Sequence, residues 1–223
     1  MGLQNGEFIE IEYSGRLKEA GELFDTTSAE EAQKAGLTNP RSHYGPVIVC
    51  LGHGQLLKGL ENRLLGKEIG KTYTIALLPE EAFGKKETKL LKIVSTHVFL
   101  KQGIRPMPGL QVTIDNALGT IRTVTGGRTI VDFNHPLAGR EVEYQITVKR
   151  MVTDKKEQLT GLLDAEGHIH DATITLKENK AEIVTQEMLP ELFMRHLSTK
   201  IKETTGLDAA FEVRAKPEPA KAL

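Results

Sequence analysis

The chain has 223 residues, of which 39% are hydrophobic and 26% charged, with a formal net charge of −1. Its longest apolar run, residues 46–51, is far shorter than the roughly 20 residues that cross a bilayer, so we expect a soluble protein without a membrane partner. The single cysteine, Cys50, excludes a disulfide within the chain and a metal site built from several thiolates. Residues 1–7 lack the basic and apolar regions of a signal peptide, which favours the cytoplasm.

The first part of the chain has the pattern of short strands and two short helices. Residues 7–17 alternate apolar and acidic side chains and predict a half-buried strand, followed by a second strand that reaches Phe24. A polar helix is expected over residues 28–36, with Ser28 as its N-cap. Residues 46–51 predict a third strand, and apolar residues at helical spacing predict a helix that ends at Gly66.

The next stretch interrupts this pattern. A strand over residues 73–78 stops at Pro79, and the four strands predicted up to residue 133 are separated by turn sequences such as Gly126-Gly127. We therefore expect a small all-β unit at residues 87–131, inserted into a loop of a larger domain. This insert contains six lysines and arginines against two acidic residues.

After the insert, residues 141–151 alternate again and predict a strand that completes the first domain. Residues 153–157 resemble a linker, and the segment beyond them predicts a β-β-α-β unit with an amphipathic helix that includes Leu189 to Ile201. Residues 217–223 predict a disordered tail. The sequence thus predicts an α+β protein with three domains: residues 1–86 plus 132–153, residues 87–131, and residues 154–223.

Four motifs occur in a fixed order along the chain. They are Tyr13-Ser14-Gly15, residues 23–27, residues 52–61 and Ala82-Phe83-Gly84. In this order and spacing they resemble the FKBP family of peptidyl-prolyl cis-trans isomerases. An insert after Ala82-Phe83-Gly84, followed by residues 134–139, is similar to the SlyD-like branch, and residues 153–223 resemble the C-terminal domain of long archaeal FKBP-type proteins.

This resemblance implies a twisted antiparallel sheet wrapped around one short helix, with an apolar pocket between them that binds proline. It implies a site that requires no cofactor and no metal ion. The residues at its pocket positions are Tyr13, Phe24, Asp25, Leu56, Leu57, Leu60, Phe83 and Tyr144, and those near its rim are Phe133, His135 and Leu137. The chain departs from the family pattern at Leu60, where several relatives have Trp, and at Phe83, where many have Tyr.

Taken singly, these residues also have simpler interpretations. Tyr13, Phe24 and Tyr144 are typical of a protein core, and Asp25 before two threonines is typical of a turn. His135 could satisfy a backbone group of its loop. Only the combined order of the motifs favours a site.

The resemblance implies an isomerase that acts on X-Pro bonds of unfolded or partly folded proteins, with no nucleic acid partner. Apolar residues of the insert could bind such clients by strand addition or by contact, or they could form the insert's own core. These residues are Val98, Phe99, Leu100, Ile104 and Met107. The alternative function is that of a holdase chaperone or assembly factor with a vestigial pocket.

Two further features concern metal binding and assembly. His168 and His170 could share one face of a strand and chelate a metal ion, but a solvent-facing pair is the simpler interpretation, and we expect no metal. The amphipathic helix of the C-terminal unit has apolar positions that could pair two copies of the chain in a homodimer.

Overall fold

The computed structural model describes residues 2–39 and 44–213, and the chain divides into two compact units. The first unit comprises Met1–Leu77 and Val142–Leu223, and the second comprises Leu78–Glu141. No helix within the described ranges is long and apolar enough to cross a membrane. The tail expected at residues 217–223 lies outside the described residues.

Strands and short helices alternate along both units. In chain order the elements are β1 (Phe8–Leu17), β2 (Leu23–Thr26), α1 (Ala29–Lys34), β3 (Val47–Cys50), α2 (Lys58–Leu64), β4 (Thr72–Leu77), β5 (Leu91–Ser95), α3 (Thr96–Lys101), β6 (Gln111–Ile114), β7 (Ala117–Thr125), β8 (Arg128–Asp132), β9 (Val142–Met151), α4 (Lys155–Gly167), β10 (Thr173–Lys177), β11 (Lys180–Thr185), α5 (Glu191–Thr205) and β12 (Asp208–Val213). Pro79–Glu81 and Thr88–Leu90 form single turns of 3₁₀ helix.

The main sheet of the first unit is antiparallel, with the strand order β2-β1-β9-β4, and β3 pairs with the first half of β1. Ile9 and Ile11 of β1 and Ile146 of β9 are fully buried, as strands with one apolar face require. Helix α2 lies against β4 and buries Leu60 and Leu64. The α+β class expected from the sequence is confirmed, and so is the antiparallel sheet.

Helix α1 begins where the sequence predicts. The Ser28 hydroxyl accepts a hydrogen bond from the backbone N–H of Glu31 at 3.3 Å and so caps the first turn. The carboxylate of Glu31 does not return to Ser28 but bonds to the hydroxyl of Thr26 and to Arg16. It thereby ties α1 to the strands β1 and β2.

The C-terminal segment begins with a helix that the sequence analysis did not anticipate. Residues 155–157, interpreted above as part of a linker, form the first turn of the 13-residue helix α4, capped by the Asp154 carboxylate, which accepts from Glu157 N–H at 2.9 Å. After it, β10 and β11 pair antiparallel, and α5 crosses over so that β12 lies parallel to β11. The segment is therefore α-β-β-α-β, and the predicted β-β-α-β order is its latter part.

Helix α4 joins this segment to the main sheet. Its residues Leu159, Leu162 and Leu163 share one hydrophobic core with Phe8 and Cys50 of the sheet. A Cβ atom added at Gly161 would lie 2.6 Å from Cβ of Ile48, so only glycine allows α4 to approach β3 this closely. The sequence-based boundary at residue 154 thus marks a change in topology, while the hydrophobic core continues across it.

The second unit is a four-stranded antiparallel sheet with the order β5-β8-β7-β6. Its expected all-β character is wrong, because residues 96–101 form helix α3. A single small sheet must cover its apolar face, and Phe99 of α3 does this by packing on Val112, Ile121 and Val131.

Candidate functional site

A cleft of about 560 Å³ opens in the first unit between the strands β1, β2 and β3 and the C-terminal end of α4. We call it the aromatic cleft. Four of the residues expected from the sequence line it: Tyr13, Phe24, Asp25 and Leu56. The other described residues that line it are Thr26, Thr27, Ala32, Leu37, Asn39, Tyr44, Val47, Ile48, Val49, Gln55, Asp164, Ala165 and His168.

The register of the strands explains how the aromatic side chains meet. Gly15 of β1 lies opposite Asp25 on β2 and opposite Tyr144 on β9. The Tyr144 ring packs edge-on against Phe24 at 5.7 Å and tilted against Tyr13 at 5.9 Å between ring centroids. A Cβ atom at Gly15 would lie 2.8 Å from the Tyr144 ring and 2.9 Å from the Phe24 ring. Glycine at this position therefore makes room for both rings beside the backbone.

Asp25 of β2 is the carboxylate beside these rings in the aromatic cleft. Burial raises its pKa above the ordinary value, and hydrogen bonds from the Tyr13 side chain and from the backbone of Thr26 partly offset that rise. Burial and the neighbouring Asp25 charge also raise the pKa of Tyr13 and of Tyr144, so both phenols stay protonated at neutral pH. The cleft thus combines aromatic rings with the Asp25 carboxylate, which accepts a hydrogen bond from a phenol.

The segment before α2 is positioned by a residue that the sequence analysis missed. The buried Glu61 carboxylate accepts hydrogen bonds from the backbone N–H of Gly54 at 3.1 Å and of Leu56 at 3.4 Å. Leu57 is the half-buried N-cap residue of α2, and Leu60, one turn further, is 1% exposed. Leu56 therefore lines the cleft, while Leu60 belongs to the core behind it.

Helix α4 supplies a wall of the aromatic cleft through Asp164, Ala165 and His168. No motif indicated this contribution. Glu166 of α4 also links the C-terminal segment to the loop before α2. Its carboxylate accepts a hydrogen bond from Gln55 Nε2 at 3.4 Å and lies 3.4 Å from Lys200 Nζ. Because Lys200 also donates to the carbonyl of His53 at 2.6 Å, the C-terminal segment holds the loop before α2.

The other four expected site residues belong to the second unit. Phe83 and His135 stack with parallel rings 4.6 Å apart, and His135 Nδ1 accepts from Leu137 N–H at 3.2 Å. His135 thus does satisfy a backbone group of its own loop. Phe133 packs against the core of the second unit, and Lys92 Nζ lies 5.5 Å above its ring.

Asn134 joins the two ends of the inserted segment. Its side chain accepts from Glu87 N–H at 2.8 Å and donates to the Glu87 carbonyl at 3.1 Å. It also donates to Asp132, whose buried carboxylate pairs with Arg122 at 2.9 Å. Burial alone would raise the pKa of Asp132, but the hydrogen bonds from Asn134 and the Arg122 guanidinium together lower it. The network closes the insert where the chain enters and leaves it.

The apolar residues considered for client binding divide into two groups. Val98, Leu100 and Met107 are 46%, 53% and 54% exposed. Phe99 is 2% exposed and Ile104 is half-buried against the same core, so these two residues take the alternative role in the insert's own core. Because α3 presents one face to the sheet, its residue 99 points inward while residues 98 and 100 point outward.

The two histidines weighed for metal binding do not lie on a strand, which corrects the expected geometry. His168 ends α4, and His170 follows in the loop before β10. They come together with Asp164, and the donor atoms of the three side chains lie within 4.8 Å of one another.

Comparison with protein families assigns both units. Residues 2–99 match the model described as FKBP-type peptidyl-prolyl cis-trans isomerase, and residues 92–137 match the model described as FKBP26, IF domain. The second match falls on the inserted segment.

Individual relatives agree with these matches. The chain is 34% identical over 130 residues to the FKBP-type 16 kDa peptidyl-prolyl cis-trans isomerase of Escherichia coli, which covers 56% of this chain and 82% of that protein. It is 27% identical over 147 residues to the short-type peptidyl-prolyl cis-trans isomerase of Methanocaldococcus jannaschii, covering 66% of this chain and 92% of that protein. To the SlyD isomerase of Vibrio cholerae it is 32% identical over 132 residues, or 57% and 62% of the two chains. On these matches the chain belongs to the FKBP-type family of peptidyl-prolyl cis-trans isomerases and is an enzyme of that class with an insert-in-flap domain.

Proposed function

We propose that the chain catalyses the cis-trans isomerisation of X-Pro bonds in unfolded or partly folded proteins, and that the aromatic cleft is the catalytic site. The observation that carries this proposal is the juxtaposition of Tyr13, Phe24 and Tyr144 around the Asp25 carboxylate. The cleft has the volume for a proline ring and its neighbouring residues, and its walls combine polar groups with apolar side chains such as Phe24, Val47 and Leu56.

The physical chemistry of the reaction suits such a cleft. Rotation about an X-Pro bond breaks amide resonance, with a barrier of about 18–20 kcal/mol in peptides. The twisted amide is less polar than the planar one, so an apolar surface disfavours the ground state more than the transition state. The reaction requires no nucleophile and no metal ion.

Within this proposal the residues of the first unit have two roles. Tyr13, Phe24 and Leu56, which line the cleft, enclose the proline ring together with the neighbouring Leu57. The buried Tyr144 and Leu60 support them from the core. Asp25 orients the peptide or interacts with the rotating carbonyl carbon. Phe83, Phe133, His135 and Leu137 belong to the second unit, and their place at the rim of the site stays a prediction from the family resemblance.

Three substitutions test the location of the site. We expect Asp25→Ala, Phe133→Ala and Tyr144→Ala each to lower kcat/KM on a proline-containing peptide, Asp25→Ala by about tenfold, which corresponds to about 1.4 kcal/mol. Tyr144→Phe keeps the ring packing and serves as the variant that folds. Tyr73→Ala is the matched control, because Tyr73 bonds to the Glu68 backbone outside the cleft. Unchanged turnover in all three alanine variants would contradict the proposal.

We propose further that the insert captures clients. Its support is the net positive charge of residues 87–131 and the exposed apolar side chains Val98, Leu100 and Met107. An unfolded segment held by the insert raises the effective concentration of its prolines at the cleft. The alternative is a holdase that binds unfolded chains while its cleft is vestigial.

Deletion of residues 87–131 separates capture from catalysis. We expect the deleted chain to keep its turnover of a short peptide, while its catalysis of a proline-limited refolding reaction falls sharply. The combined variant Val98→Ser, Leu100→Ser and Met107→Ser should reproduce the loss, and Leu176→Ser, an exposed leucine on β10, is the control. Refolding catalysis that survives both changes would count against the insert as the client site. Peptide turnover near zero in the intact chain would favour the holdase.

We also propose that two copies of the chain pair through α5. Met188 is 83% exposed and Leu192 is 82% exposed. Leu192 lies in the first turn of α5 and lines a shallow surface with Phe193 and His196, and Met188 shortly precedes the helix. Large apolar side chains with this exposure are typical of an interaction surface.

A further inference from the structure

The C-terminal end of α4 brings three potential metal ligands together by its backbone geometry. His168 adopts the left-handed conformation (φ 51°), and its N–H bonds to the Asp164 carbonyl at 2.9 Å. The next residue, Ile169, bonds back to the Leu163 carbonyl at 3.2 Å. These two bonds reverse the chain, so that His170 returns alongside Asp164.

The three side chains converge on one point. His170 Nδ1 lies 3.1 Å from Asp164 Oδ1, and the donor atoms of Asp164, His168 and His170 all lie within 4.8 Å of one another. Zinc bound at about 2.0–2.1 Å by tetrahedral ligands holds those ligand atoms about 3.3–3.4 Å apart. The Asp164–His170 pair is already close to that separation, so the exposed His168 is the group that would have to approach.

We propose that Asp164, His168 and His170 form a binding site for a divalent transition metal ion of the zinc class. Two imidazole nitrogens and one carboxylate oxygen suit zinc and its neighbours in the first transition row. Calcium and magnesium prefer sites made entirely of oxygen ligands, so two imidazole nitrogens and one carboxylate do not favour them. Three protein ligands leave one coordination position for water or for a group from a bound molecule.

The surrounding charges favour a cation. Asp164 and His168 line the aromatic cleft, to which Asp25 adds a second carboxylate. Among the described residues that line the cleft there is no lysine and no arginine. Lys200 of α5 is engaged by Glu166 and by the carbonyl of His53.

The position of the site has a consequence for turnover, and this step rests on the proposed function. A metal ion on Asp164 and His168 would stand in the wall of the aromatic cleft, and its free coordination position would compete for peptide groups there. We expect the ion to lower the isomerisation rate of a short peptide.

The test uses the full chain without an affinity tag, titrated with Zn²⁺ in a calorimeter. We expect one ion to bind per chain and Mg²⁺ not to bind. His168→Asn, His170→Asn and Asp164→Asn should each weaken Zn²⁺ binding at least tenfold, and asparagine at position 168 tolerates the left-handed backbone. His97→Asn, which changes an exposed histidine of the second unit, is the matched control and should bind like the unchanged chain.

Absence of Zn²⁺ binding, or binding that the His168→Asn and His170→Asn variants retain in full, would overturn the proposal. Peptide turnover measured with and without Zn²⁺ distinguishes the binding of the ion from its effect on isomerisation. Binding that is lost in the variants but leaves turnover unchanged supports the metal site and counts against the aromatic cleft as the site of catalysis.

Discussion

The Asp25 carboxyl group occupies a position in which burial disfavours its charge. Its pKa is raised although Tyr13 and the Thr26 backbone donate hydrogen bonds to it. A group with this property is typical of a functional site, because folding alone would be better served by a neutral side chain. From the sequence alone, Asp25 could belong either to a turn or to a functional site. The register of β1 and β2 puts it in the aromatic cleft.

We predict that Asp25→Asn lowers turnover and raises stability at neutral pH. Because the pKa of Asp25 is higher in the folded than in the unfolded chain, its contribution to stability is fully present below the unfolded pKa and is lost as the pH rises through the folded pKa. Asparagine does not ionise, so the Asp25→Asn variant does not lose this stability as the pH rises. Peptide turnover should fall about tenfold, or about 1.4 kcal/mol in the barrier.

Urea unfolding of both chains between pH 4 and neutrality, roughly the range above the ordinary pKa of aspartate, measures this difference. The stability advantage of Asp25→Asn should shrink as the pH falls toward that ordinary value. Glu19→Gln, which removes an exposed carboxylate, is the control. An advantage that stays constant with pH would contradict the assignment to Asp25.

For single elements, hydrophobic periodicity predicted the long, regularly alternating strands. It missed a short helix and the first turn of a helix that begins with charged residues. The strands β1 and β9 alternate clearly and were predicted within a few residues. Helix α3 has six residues, too few for a helical period to be distinguished from a strand. Helix α4 begins with charged residues and concentrates its apolar ones in Leu159 to Leu163, so its first turn resembled a linker.

The close packing of α4 on β3 determines whether Gly161→Ala raises or lowers the free energy of unfolding. In a free helix, Gly→Ala stabilises by about 1 kcal/mol through helix propensity. At Gly161 the new Cβ would lie 2.6 Å from Ile48 Cβ and 3.0 Å from the Ile48 carbonyl oxygen. Overpacking of this kind costs about 1–3 kcal/mol. We therefore expect Gly161→Ala to lower the free energy of unfolding, and Gly161→Val to lower it further.

Urea unfolding measures this effect, with Lys156→Ala at an exposed position of the same helix as the control, expected within about 0.5 kcal/mol of the unchanged chain. Peptide turnover should fall as well, because α4 carries Asp164 and His168 into the cleft. Stabilisation by Gly161→Ala would mean that α4 does not pack on β3 in solution.

At the scale of the molecule, the order of motifs predicted the isomerase family and the place of the insert, because motif spacing survives in the sequence. It could not predict that residues 155–213 share a core with the main sheet. That contact depends on the absence of a side chain at Gly161. It also depends on a core that contains both Leu159 and Phe8, which lie far apart in sequence. Nor did any motif mark Asn134 as the closing contact of the insert, since its partner Glu87 lies 47 residues away.

The shared core also determines how the proposed dimer has to be tested. Removal of residues 154–223 would uncover Phe8, Cys50 and Val152, and the exposed core itself would promote association. Point substitutions on α5 avoid this artefact. In a two-fold dimer each copy contributes the same surface, so one charged substitution places two like charges in the interface.

We predict that the full chain sediments as a dimer at micromolar concentrations and that Leu192→Glu converts it to a monomer. Leu192 is 82% exposed, so glutamate costs the isolated chain little, whereas in an interface it would bury an unpaired charge. Leu176→Glu, at a 40% exposed leucine on β10, should remain a dimer. A monomeric unchanged chain, or a Leu192→Glu variant that stays dimeric, would exclude pairing through this surface. Peptide turnover should be equal in both variants, because α5 contributes no described residue to the aromatic cleft.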